Sequence, residues 1–183
     1  MKLDWSFWTK ASTKRKRIYS FLFILFLSIV LMSIGSLTPI SSQNAHLIVD
    51  PLNQTLSQNQ ASGTLPQFIF LNNFRICLTM FIPILGTAFG FVSFFFSGYA
   101  LSAISALQGV PPAQNLSLLL ITPHTWLEFF SYAIAVSESI WLLRRLMQKR
   151  FSEFKNTAIL IGVCAGLLAL AAVIETWLIS IGV

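Results

Sequence analysis

The chain has 183 residues, of which 55% are hydrophobic and only 10% charged, with a formal net charge of +6. A soluble domain carries about 25% charged residues, so a mean hydropathy of +0.74 with long apolar runs excludes that class and points to a polytopic membrane protein. The positive charge does not mark a nucleic-acid partner either. It lies beside apolar runs, with Lys14, Arg15, Lys16 and Arg17 before one and Arg144, Arg145, Lys149, Arg150 and Lys155 after another. Basic flanks of that kind orient membrane helices with those ends in the cytoplasm.

In chain order, the first element is the apolar run at 18–37. It is longer than the roughly 7–15 residues of a signal-peptide core, and no small-x-small cleavage site follows. It therefore reads as an uncleaved membrane helix with a cytoplasmic N-terminus, and Trp5, Phe7 and Trp8 ahead of it suit the headgroup level. Residues 39–67 are rich in Ser, Asn and Gln, contain no Lys or Arg, and are expected to form a polar external loop. That loop holds the sequon Asn53-Gln54-Thr55, and a second sequon, Asn115-Leu116-Ser117, follows later. Three-residue motifs of this kind arise readily by chance, so neither is expected to be used.

The apolar stretch 68–107 is long enough for two spans at about 20 residues each. Two spans, 68–85 and 88–107, keep the later basic cluster inside. A tight cytoplasmic turn is expected near Gly86, Thr87 and Gly90, with Pro83 as a further breaking signal; a re-entrant hairpin is the alternative. Gly109-Val110-Pro111-Pro112 interrupts the chain outside. A fourth helix is expected over 123–147, with proline in its first turn, and a fifth over 157–181, leaving the C-terminus external. The expected architecture is all-α: one integral membrane domain over 1–183, a bundle of about five membrane helices in the plasma membrane. Cys77 and Cys164 lie in apolar segments and read as small buried hydrophobes.

The fourth helix is the unusual one. His124 and Glu128 are four apart and share a face, and both lie near its external end. Glu175 lies near the external end of the fifth helix, and Asn72, Asn73 and Arg75 near that of the second. A charge in hydrocarbon costs about 2.5–3.5 kcal/mol even on the lenient insertion scale. A single intramembrane polar cluster of Asn72, Asn73, Arg75, His124, Glu128 and Glu175 is therefore expected, with Arg75 as the counter-ion of Glu128. One histidine and one carboxylate are a weak metal signal, since catalytic zinc needs three protein ligands, and Glu175 would have to be the third. No catalytic motif, cofactor or metal is expected. Glu138 lies about 15 Å deeper at 1.5 Å per residue. It is expected to be uncharged, or bonded across a helix contact to serines such as Ser93 or Ser97. An ion or proton path through Glu138 and Glu128 is the alternative. Ser131, Ala135 and Ser139 form a small-residue stripe, and Gly162-Val163-Cys164-Ala165-Gly166 with Ala169 and Ala172 forms another. Such stripes allow close helix packing within a bundle or between subunits.

Four stretches, FLNNFRICLTMFIPILGTAFG, FSGYALSAIS, LLLITPHTWLEFFSYAIAVSES and LLALAAVIETWL, resemble the stage II sporulation protein M family in order and spacing over about 70–178. The family's paired asparagines are matched by Asn72 and Asn73. Its Asn-Gly is Ser97-Gly98 here. Its Pro-His-Gly-x-x-Glu is matched by Pro123, His124 and Glu128, with Thr125 for glycine. Its Ala-Ala-x-x-Glu is matched by Ala171, Ala172 and Glu175. The departures at Ser97 and Thr125 mark a divergent member. The resemblance implies a non-catalytic membrane anchor or scaffold, since the sporulation members hold cell-wall-remodelling partners during engulfment. The expected partners are the bilayer and other membrane subunits, with a homo-oligomer as a further arrangement. A permease-type transporter component is the alternative.

The topology is open to direct test. Cysteine probes at Gln58 and after Val183 should react with an impermeant reagent from outside the cell, and one at Lys149 should not. External labelling at Lys149 would reverse the expected orientation of the last two helices.

Overall fold

The computed structural model describes residues 12–149 and 154–181. The expectations for Trp5, Phe7, Trp8, Arg150 and the C-terminal residue fall outside that range. Among the described residues there are seven helices and no strand: α1 (Thr13–Ser36), α2 (Ser42–Ala61), α3 (Leu65–Met80), α4 (Leu85–Gln108), α5 (Pro112–Ile121), α6 (Pro123–Met147) and α7 (Phe154–Ser180). The all-α bundle is as expected. Three helices, α1, α4 and α7, are long and apolar enough to cross a membrane. Helix α3 has only 16 residues, about 24 Å at 1.5 Å per residue. Helix α6 has the length, at 25 residues, but carries four charged side chains, Glu128, Glu138, Arg144 and Arg145.

Two expectations are corrected. Residues 39–67 are not a loop: Ser41 caps α2, its side chain accepting from the Asn44 N–H at 3.4 Å, and the helix runs through Pro51 to Ala61. Ala45 and Val49 on α2 pack against Ala103 of α4 with Ile48, Ile104 and Leu107 around them. The apolar period 45, 48, 49 won over a polar composition. The turn expected near Gly86 and Gly90 lies earlier, at 81–84. Both glycines sit inside α4, where a Cβ at Gly86 would lie 2.1 Å from the Met80 carbonyl oxygen and one at Gly90 2.4 Å from Val136 Cγ2. They permit close packing and do not break the chain.

Helix α6 is the centre. It touches α1, α3, α4, α5 and α7, and its Ser131, Ala135 and Ser139 are fully buried, as the stripe suggested. Ridges of small residues let neighbouring backbones approach where no hydrophobic force draws helices together. The core around α6 includes Phe94, Phe129, Val136, Cys77, Met80, Cys164 and Leu168. The two cysteines are free and buried, and both thiols point at the Ser131 carbonyl, Cys164 Sγ at 3.4 Å.

The tightest contact joins α1 to α4. A Cβ at Gly98 would sit 2.0 Å from the Met32 carbonyl oxygen, and one at Gly35 would sit 2.1 Å from that of Phe95. Each glycine faces the other helix's backbone, so no methyl group fits at either. Replacing Gly98 with alanine must separate the two helices or bend one. The expected loss is about 1–3 kcal/mol, typical of overpacking. Thermal unfolding in detergent should show Gly98→Ala clearly below the parent. Gly162→Ala, where nothing lies within 4 Å, should match the parent.

Candidate functional site: two polar clusters on the central helix

Two clusters of charged and amide side chains lie along α6, one toward each end. The first is near the basic end of the bundle. Glu138 is 3% exposed, and three elements supply its donors. Arg17 of α1 pairs with Oε2 through Nη2. Arg145, two turns on along α6, donates from Nη1 to Oε1 at 3.3 Å. Thr157 of α7 donates its hydroxyl to Oε1 at 2.8 Å. Helix α1 begins at Thr13, capped by Ser12, five residues before the apolar run, and this early start carries Arg17 into the bundle.

The partners of Glu138 are therefore Arg17, Arg145 and Thr157, and not Ser93 or Ser97. Ser93 donates to the Phe89 carbonyl of its own helix. The Glu138 carboxyl group lies between two guanidinium groups, the pairing that a buried charge demands. Sequence reasoning assigned the basic runs to topology alone, so the partners were missed. Signs of both Arg17 and Arg145 were present as arginines at the edges of apolar runs. Beside this ion pair lies a largely apolar cavity of about 260 Å³, lined by Ile18, Phe21, Ile134, Trp141 and Leu160 as well as the paired charges. Arg144 stacks on Trp141, its Cζ 5.5 Å from the ring centre.

The second cluster is near the other end of the bundle. Asn73 of α3 donates from Nδ2 to Glu128 Oε1 at 2.6 Å, and Asn72 donates to Asn73 Oδ1 at 3.3 Å. Glu175 of α7 is close enough for the two carboxyls to interact electrostatically, and Tyr132 lies within reach of both. Glu128 and Tyr132 line a cavity of about 60 Å³ with Met32, Phe94, Ser97 and Thr125. Hydrogen bonds thus join Asn72, Asn73 and Glu128, with Glu175 nearby, and Ser97, the position of the family asparagine, lines the same cavity.

Arg75 does not join them. It is exposed and makes no ion pair among the described residues. The expected Arg75–Glu128 pair is replaced by the Asn73–Glu128 hydrogen bond. Depth along α3 was right, but azimuth decided: Asn73 and Cys77, four apart, face inward, and Arg75 between them is about 200° from Asn73. His124 is buried one turn before Glu128, yet it makes no ion pair with it, and its Nδ1 has no hydrogen-bond partner. No group of three or more His, Cys, Asp or Glu side chains able to hold a metal occurs among the described residues. Of the sequons, Asn115 is engaged: its Nδ2 donates to Ser105 Oγ at 2.9 Å and Gln108 Oε1 at 2.8 Å.

The family model for stage II sporulation protein M matches residues 19–179. The chain belongs to that family. No curated protein and no solved structure matches it. Both polar clusters, from Arg17 aside, fall within the matched residues, and so do all seven helices in whole or in large part. The chain is a membrane protein of the stage II sporulation protein M family.

The Glu138 pairing makes a graded expectation. Glu138→Gln leaves Arg145, only 8% exposed, buried with a weaker acceptor, and breaking a buried pair costs about 3–5 kcal/mol in soluble proteins. Arg17 is 27% exposed and less enclosed than Arg145, so Arg17→Gln should cost less. A double-mutant cycle on thermal unfolding in detergent should show coupling between Arg17 and Glu138. Additivity would mean that the two side chains do not interact.

Proposed function

We propose that this chain is a non-catalytic membrane scaffold or accessory subunit, lodged in the plasma membrane with its N-terminus in the cytoplasm, and that it holds other membrane proteins through α7. The observation that carries this reading is the contrast between glycines. Gly35, Gly86, Gly90 and Gly98 are each closed by atoms of the bundle, whereas nothing lies within 4 Å of a Cβ placed on Gly162 or Gly166. The GxxxG face with Ala169 points outward. In lipid, close approach of two helix backbones is what such a face provides. The bundle's own contacts use other faces of α7, through Cys164, Leu168, Ala171 and Ala172.

The second reading, a permease component, is favoured by one observation: the Glu128 carboxyl borders a cavity and has an amide, not a cation, as its partner. Glu138 is committed to two arginines and a threonine, which does not suit a free carrier in an ion path. Glu128→Gln abolishing substrate or ion flux in liposomes would favour the permease. Retained partner binding with no flux in the parent would favour the scaffold.

Gly166→Leu tests the scaffold reading without touching the bundle, because the added side chain points into open space. The variant should insert and unfold like the parent, yet recover much less of its partners in mild-detergent purification followed by mass spectrometry. Equal recovery of the same partners would show that this face of α7 is not where they bind.

A further inference from the structure

The connection between α3 and α4 is chemically unlike a turn that faces water. Met80-Phe81-Ile82-Pro83-Ile84-Leu85-Gly86 has no polar side chain, where solvated turns favour Asn, Asp, Ser and Gly. Ile82, Ile84 and Leu85 are 45%, 63% and 66% exposed. Ile84 has φ 69° and ψ −63°, and the Leu85 N–H donates to the Pro83 carbonyl at 2.8 Å. That is the γ-turn of the rare, strained hand, centred on a β-branched residue for which positive φ is disfavoured.

The turn also bonds its own backbone. Phe81 N–H donates to Leu78, Ile82 N–H to Thr79, and Gly86 N–H to Ile82. Pro83 has no N–H to satisfy. With Leu85, only the Ile84 N–H between Phe81 and Gly86 lacks a bond. The Ile82 carbonyl takes a second bond, from the Ser139 hydroxyl at 2.7 Å, and Thr87 donates to Ser139 in turn. Irregular backbone survives at membrane depth only where its polar groups are met by protein, and here most of them are.

Its depth follows from Ser139. The exposed polar side chains of the basic end, Lys14, Arg15, Arg144, Lys149, Lys155 and Asn156, all lie beyond the Glu138 level on their helices. Helix α6 continues eight residues past Ser139 to Met147, about 12 Å at 1.5 Å per residue. The tip stops short of that polar ring.

We propose that the α3–α4 tip is embedded in the acyl-chain region of the leaflet on the basic side, with Ile82, Ile84 and Leu85 in contact with lipid. The α3–α4 pair is thus a re-entrant hairpin whose turn does not reach water. The strained γ-turn is the means by which the chain reverses without a polar residue. Lipid is the occupant that matches an all-apolar, hydrogen-bonded tip that stops short of the basic residues.

Site-directed spin labelling of the full chain in liposomes of phosphatidylcholine and phosphatidylglycerol tests this. A nitroxide at Leu85→Cys is compared with one at Lys149→Cys, beyond the ring, and one at Phe96→Cys, on the exposed middle of α4. Cys77 and Cys164 are buried and stay in place, and the unsubstituted chain gives their background. The label at Leu85 should collide with dissolved oxygen more than with a water-soluble nickel complex, as at Phe96 and opposite to Lys149. Preferential collision with nickel would place the tip in water and overturn the proposal. Low collision with both would mean that protein covers the tip, and would overturn it equally. Ile84→Cys gives the same readout should Leu85→Cys fail to insert.

Discussion

One carboxylate holds the basic end of this protein together. Glu138 is nearly fully buried on the central helix, and α1, α6 and α7 each send it a donor. Remove the carboxylate and two guanidinium groups face each other at the edge of an apolar bundle. Remove either arginine and the carboxylate loses part of its compensation. The three helices are thereby fixed in rotation as well as in depth, because a charged hydrogen bond is directional where apolar packing in lipid is not. Buried ion pairs contribute little net stability against apolar replacements. What they set here is which faces of α1 and α7 turn toward α6.

The other end is held by a different device. Among the described residues no arginine pairs with Glu128 or Glu175; an asparagine amide from α3 meets Glu128 instead. Tyr132 and the small cavity lie beneath, and α2 and α5 pack near α4 on that side. The two ends of α6 therefore differ in kind: paired charge at one, amide and carboxyl at the other. Between them Ser131, Ala135 and Ser139 keep neighbouring helices close, and the mutual Gly35 and Gly98 contacts do the same for α1 and α4.

Much of this was legible in the sequence, and the misses have physical causes. Helix α6 was expected over its observed span, because Pro123 marks the start and the basic pair marks the end. Residues 39–67 misled because composition was weighed above period: Ala45, Ile48 and Val49 already had helical spacing. The Glu128 cluster was found through depth, the quantity that spacing along a helix gives directly. Arg75 was assigned to it wrongly because depth does not determine which way a side chain faces. The spacing of Asn73 and Cys77 held that information, since two inward residues four apart leave the position between them facing out. Arg17 was the hardest to see. It lies 121 residues from Glu138, and its charge already had a sufficient explanation in the orientation of α1.

That last case shows how one residue type serves two physical demands. A basic run at a helix end orients the helix during insertion, and any member of the run suffices for that. Only the member facing inward can pair with a buried carboxylate. Lys14, Arg15 and Lys16 keep exposed or half-exposed side chains, and Arg17 meets the second demand. The helix must then begin before the apolar run, or Arg17 would have no fixed azimuth, and the Ser12 cap supplies that start. The cap and Arg17 lie together at the start of the first helix and Glu138 lies 121 residues on, and the geometry of one ion pair joins them.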